Sequence, residues 1–159
     1  MTTDPRFIGC PHDFDFLRGH WQLKNRRLRE RLTGCTAWDE FPATLSGQTL
    51  LDGAVSVDET TFPTRGFTGM TMRSLDRKTQ RWAIYWINSG DGRLQPPVLG
   101  GFDGDNGEFF GDDTDAGCAV NVRFIWSRGP AVARWEQAFA LPGGEWETNW
   151  IMDMQKEPA

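Results

Sequence analysis

The side chains best suited to chemistry in this sequence are polar groups that share a strand face with tryptophan. Trp21 and Leu23 are followed by Asn25 and Arg27, Trp38 by Glu40, Trp86 by Asn88, and Trp135 by Gln137. Successive side chains of a β-strand alternate between its faces, so each group falls on one side of its strand. If those sides turn inward, Trp38, Trp86, Trp135 and Trp150 become walls, and Asn25, Arg27, Glu40, Asn88 and Gln137 gather toward one end. Aromatic walls with a few orienting polar groups are the layout of a small-molecule pocket, with Arg27 as anchor for an anionic group on a partly apolar, aromatic or carboxylate-bearing ligand. A second reading makes the same interior a cofactor-free cyclase, isomerase or hydratase, with Glu40 as general base and Arg27 steadying an oxyanion. The structural alternative is an Arg27–Glu40 ion pair between adjoining strands near the rim, with Asn and Gln satisfying loop backbone.

Other chemistries lack their residues. The sequence has no phosphate-binding glycine loop, nucleophile elbow or zinc-type His and Cys spacing. Its only histidines are His12 and His20, which excludes a histidine-rich metal centre and would force any Ser-His-Asp triad onto one of the two. His12 beside Asp13 and Asp15 reads as capping at a helix start. The acidic stretch from Asp103 to Asp115 lacks the spacing of a calcium loop and reads as hairpin turns on a solvated face. No metal and no cofactor are expected. Cys10, Cys35 and Cys118 are odd in number and lack a C-x-x-C pattern, so they are expected to be ordinary thiols in a reducing compartment.

The bulk properties narrow the partners. A chain of 159 residues can bury a core as one domain, and its net charge of -5 offers no basic footprint for nucleic acid or anionic lipid. Neither a signal-type apolar run nor a membrane-spanning stretch is apparent, so a cytoplasmic protein is expected. Eight Trp and eleven Phe stand against one Tyr, an excess that calls for a thick wall or an aromatic-lined cavity.

The elements that must hold these residues are strands. Alternating, β-branched and aromatic runs cover 21–31, 36–44, 48–51, 55–62, 67–75, 81–88, 98–102, 108–111, 119–127, 131–140 and 145–154. Asp52-Gly53, Ser89-Gly90-Asp91-Gly92, Asn106-Gly107, Ala116-Gly117 and Pro142-Gly143-Gly144 supply hairpin chemistry between them. About ten strands joined by short turns predict an all-β, antiparallel up-and-down barrel, since closing the sheet removes both exposed edges. A short helix over residues 13–18 is expected to lay Phe14 and Leu17 against one end as a plug. The chain divides into an N-terminal segment 1–18, a barrel 19–155 and a tail 156–159.

Phe16-Leu17-Arg18-Gly19-His20-Trp21 resembles the G-x-W opening of the lipocalin and fatty-acid-binding, or calycin, superfamily. The segments Gly34-Cys35-Thr36-Ala37-Trp38, Trp82-Ala83-Ile84-Tyr85-Trp86, Arg134-Trp135-Glu136-Gln137-Ala138 and Trp146-Glu147-Thr148-Asn149-Trp150, with Phe14-Asp15-Phe16-Leu17 and Gly107-Glu108-Phe109-Phe110-Gly111-Asp112-Asp113, extend it. Together they resemble a bacterial lipocalin-like family of unknown function, over nearly the whole chain. The resemblance implies a calycin barrel with a short N-terminal helix, an internal cavity, and an arginine against Trp21 for which Arg123 and Arg134 are the candidates. It implies no activity. A third functional class is an interaction module in which outer aromatics such as Tyr85 and Phe110 form a homodimer interface.

Overall fold

A computed structural model of the chain describes residues 4–159, and these form a closed antiparallel barrel of ten strands. The strands are β1 (Gly19–Leu28), β2 (Trp38–Leu50), β3 (Val55–Phe62), β4 (Phe67–Asp76), β5 (Arg81–Asn88), β6 (Val98–Asp103), β7 (Asn106–Asp115), β8 (Cys118–Ser127), β9 (Val132–Ala140) and β10 (Glu147–Lys156). Each pairs with its neighbours in sequence, and β1 closes the sheet on β10 from Trp21 opposite Lys156 to Arg27 opposite Trp150. Closure removes the two edge strands an open sheet would have. The thinnest seam is β5 with β6, paired only from Trp82–Gly100 to Ile84–Val98.

Two runs expected at 36–44 and 48–51 are one strand, β2. Gly47 lies inside it because the Leu17 carbonyl occupies the space a Cβ would need, so this glycine permits a close approach rather than a turn. The β6–β7 hairpin is longer than its sequence suggested: Asn106-Gly107 belongs to β7, opposite Asp103 and Phe102, and the turn sits at Gly104-Asp105. Lys156, assigned to the tail, is the last residue of β10.

The expected helix over 13–18 is a 3-10 turn at Asp15–Leu17. Three residues are too few for α-helical hydrogen bonding to propagate; the amides of Leu17 and Arg18 bond three residues back, to Phe14 and Asp15, while Gly9 and His12 before the turn bond outward. The His12 amide donates to the Gly53 carbonyl at 3.0 Å and Gly9 donates to Gln80 at 2.7 Å, which ties the segment to the β2–β3 and β4–β5 turns. Phe14 and Leu17 are buried as expected, Phe14 with its ring 5.0 Å from Trp82, 5.1 Å from Phe102 and 5.9 Å from Phe109. The contacts with Trp82 and Phe102 are edge-to-face, an arrangement that contributes about 0.5–1.5 kcal/mol each beyond the area buried.

Neither Arg123 nor Arg134 meets Trp21. Arg123 lies over Trp146 at 4.9 Å, and Arg134 faces Glu136 and Asp153 on the outer surface. The cation over the Trp21 ring is Lys156, with Nζ 5.6 Å from the centroid, because the β1–β10 register places those two residues opposite one another.

Asp13 fastens the N-terminal segment. One of its carboxylate oxygens accepts from the Cys10 amide at 2.7 Å and from the buried Trp82 Nε1 at 3.0 Å, and Arg128 donates to its backbone carbonyl at 2.6 Å. Asp13→Ala strands the Trp82 N–H, so we expect a loss of about 1–3 kcal/mol in urea unfolding. An unchanged urea midpoint would show that the tether carries no stability.

Candidate functional site

The inward residues of the barrel change character along its axis. Toward the N-terminal segment, Phe14, Trp21, Trp82, Phe102, Phe109 and Trp126 pack as a continuous apolar cluster. Beyond it the interior opens into a cavity of about 120 Å³ walled by Trp86, Trp126, Trp135, Trp150, Phe124, Met152 and Met154. One water needs about 10–15 Å³, so this space is sized for a molecule rather than a single solvent.

The alternation of β5, β8, β9 and β10 places these walls. Trp82, Ile84 and Trp86 turn inward on β5; Val122, Phe124 and Trp126 do so on β8, and Trp135 and Gln137 on β9. The Trp86 ring fits only because Gly69, on the neighbouring strand, has no side chain: a Cβ there would overlap the ring. Trp150 is fixed from behind by its Nε1, which donates to Asn25 Oδ1 at 2.9 Å. Gln137 Nε2 donates to Asn149 Oδ1 at 2.8 Å. Asn149 reaches the interior through an irregularity in the β9–β10 pairing between Thr148 and Trp150, which strict alternation would have turned outward.

At the inner limit of the cavity lies an ion pair that sequence reasoning did not single out. Arg73 Nη2 is 2.6 Å from Asp58 Oδ2, with side-chain exposures of 3% and 1%. Arg73 also donates to Ser56 Oγ at 3.2 Å, and the Thr60 hydroxyl donates to Asp58 Oδ1 at 3.1 Å. The guanidinium rests 5.0 Å from the Phe14 ring and 5.8 Å from Trp126. Burial of two charges costs several kcal/mol per ion, so each needs the partner and hydrogen bonds it has here. Thr71 and Gln137 complete the polar lining: the Thr71 hydroxyl and the Gln137 side-chain carbonyl accept or donate no hydrogen bond to another described residue. Asp112 and Asp113 of β7 stand at the rim with Gln95 and Pro96 of the β5–β6 connection.

Of the nine residues expected at a ligand site, Trp86, Trp135, Gln137 and Trp150 line the cavity. Asn25 lies behind Trp150 as its hydrogen-bond acceptor. Asn88 instead accepts from the Gly90 and Asp91 amides at 2.8 and 3.2 Å, serving the turn that follows β5. Trp38 and Glu40 are exposed. The β1–β2 register sets Asn25 opposite Phe41, Leu23 opposite Ala43 and Trp21 opposite Leu45, so the face carrying Trp38 and Glu40 looks to solvent. Phe41, Ala43 and Leu45 bury more apolar surface than that face could, and this decides the orientation. Glu40 is thus no base for chemistry in the interior, and it forms no pair with Arg27, whose opposite residue on β2 is Asp39.

Arg27 faces a second concavity. Its guanidinium lies 4.6 Å from the Trp150 ring, in a depression of about 360 Å³ formed with Arg29, Arg31, Asp39, Phe41, Arg65 and Phe67. Burial, reinforced by Arg31 and Arg65, pulls its pKa below the usual guanidinium value, with Asp115 opposing. Asp39 is held below the ordinary carboxylate range by hydrogen bonds from Arg29 and then Arg65. Tyr85 and Phe110 are half-buried; Phe110 packs on Trp146 at 6.1 Å.

Compared with known proteins, the chain matches no protein-family model, and no curated protein is significantly similar to it.

The buried pair yields a sharp stability test. Asp58→Leu leaves Arg73 uncompensated and is expected to cost about 3–5 kcal/mol in urea unfolding, whereas adding Arg73→Met recovers most of that loss. A double variant no more stable than the single one would deny that the two charges depend on each other.

Proposed function

We propose that the protein binds a small, partly aromatic, uncharged molecule inside the barrel. The observation that carries this reading is the cavity of about 120 Å³, walled by tryptophans yet bordered by polar side chains. Trp86, Trp135 and Trp150 offer faces and edges to a planar ring, while the free Thr71 hydroxyl and Gln137 carbonyl can orient one hydrogen-bonding substituent. Charge balance favours a neutral ligand. Arg73 is already neutralised by Asp58, so the uncompensated charges on the lining are the carboxylates of Asp112 and Asp113 at the rim. A carboxylate-bearing ligand would pass those two like charges and find no spare cation inside. The calycin-like architecture fits the same reading, since barrels of this size enclose either packed side chains or one small ligand.

Nuclear magnetic resonance of the tryptophan indole N–H groups tests this directly. Titration with phenol, benzyl alcohol and acetophenone is expected to shift the Trp86, Trp135 and Trp150 signals saturably, with benzoate binding more weakly by about tenfold or more. Thr71→Phe fills the cavity and should abolish the shifts while the barrel stays folded. If no neutral aromatic gives a saturable shift, or the filled variant titrates like the natural protein, the reading fails.

A further inference from the structure

The depression around Arg27 lies outside the aromatic cavity and differs from it in sign. Four arginines border it and approach from separate elements: Arg27 from the end of β1, Arg29 and Arg31 from the β1–β2 connection, and Arg65 from the β3–β4 turn. Two carboxylates answer them. Asp39 takes Arg29 at 2.7 Å and Arg65 at 3.3 Å, and Asp115 takes Arg31 at 3.4 Å. Nearby Glu30 and Glu147 accept instead from the Thr33 hydroxyl and the Leu32 amide. Glu30 and Glu147 keep their charge but pair with none of the four guanidinium groups, so the four arginines have only Asp39 and Asp115 as ion-pair partners.

Of the four, Arg27 forms no ion pair among the described residues. Its Nε is buried without a hydrogen-bond partner, and none of its N–H groups donates to another described residue. A guanidinium cannot shed its proton to escape this cost, although burial and its arginine neighbours pull its pKa down. An anion in the depression would supply what the protein omits. The ring contacts hold two of the cations in place: Arg27 over Trp150 at 4.6 Å and Arg65 over Phe41 at 4.2 Å.

We propose that this depression is an anion site that takes a phosphate-type dianion, with Arg27, Arg31 and Arg65 as its donors and Phe41 and Phe67 as an apolar floor for the group attached to it. Arg27 lacks a counter-ion, which a bound anion supplies. A tetrahedral group also presents acceptors in several directions to guanidinium groups arriving from three elements, where a planar carboxylate satisfies one or two. The floor favours an organic phosphate with a compact ring over the inorganic ion. The site is independent of the aromatic cavity, with Trp150 standing between the two: its ring walls the cavity and carries Arg27.

The test is calorimetric titration of the full chain with inorganic phosphate, phenyl phosphate and benzoate at low ionic strength. Phenyl phosphate is expected to bind most tightly, inorganic phosphate next and benzoate weakest. Arg27→Gln and, separately, the more exposed Arg65→Gln should each weaken phenyl phosphate about tenfold or more, the loss expected for one charged hydrogen-bonding group. Arg93→Gln, in the β5–β6 connection, serves as control and should leave binding unchanged, as should the cavity-filling Thr71→Phe. The proposal is overturned if neither phosphate gives a saturable isotherm, if benzoate equals phenyl phosphate, or if the Arg93 control loses as much as the two site variants. Loss of phosphate binding in Thr71→Phe would also overturn it, by moving the anion into the cavity.

Discussion

The interior of this barrel is organised around one buried ion pair. Asp58 and Arg73 sit where the packed aromatic cluster gives way to open space, with Phe14 and Trp126 on one side and the cavity on the other. Charges so far from water require hydrogen bonds and a partner, and Ser56 and Thr60 supply them from the same strand as Asp58. Removing either partner would leave the other buried and uncompensated, so the two charges hold each other in place. The polar side chains of β3 and β4 and the tryptophans of β9 and β10 line the same cavity.

That arrangement separates two binding environments by charge as well as by position. The cavity is aromatic, internally neutralised and rimmed by carboxylates; the depression outside it is cationic and stands on phenylalanine. Trp150 belongs to both. Its indole N–H is committed to Asn25, which fixes the ring so that it can serve as cavity wall and as the platform for Arg27 at once. Asn25 thus contributes to both sites without lining either, and such supporting side chains set the precision of a binding surface.

How much of this was legible depends on the strand. On β8 the apolar face runs without a break from Val120 to Trp126, and on β9 Gln137 follows Trp135 on one face, so these inward positions follow from the residues themselves. On β2 two faces compete. A tryptophan at position 38 outweighed the smaller Phe41, Ala43 and Leu45 in the sequence, but at the start of a strand it lies on the outer face and stays 37% exposed. Strand β3 inverts the rule: Ser56, Asp58 and Thr60 face in, and Val55 and Val57 are half-buried outside. No pattern within β3 announces this, because Asp58 becomes tolerable inside only when β4 brings Arg73 against it. The mouth arginines are similarly scattered, at 27, 29, 31 and 65, and their convergence follows from β1, the loop after it and the β3–β4 turn meeting at one end.

The sequence by itself determined the all-β architecture, the antiparallel order of its strands and the aromatic character of the interior, because alternation and turn residues act locally. Tertiary structure decided which charges are buried and which are exposed. It turned Glu40 outward, enclosed Asp58 with Arg73 and left Arg27 without an ion pair among the described residues. The reason is electrostatic: whether a charge can leave water depends on a partner within a few ångströms, and here those partners lie on other strands and loops.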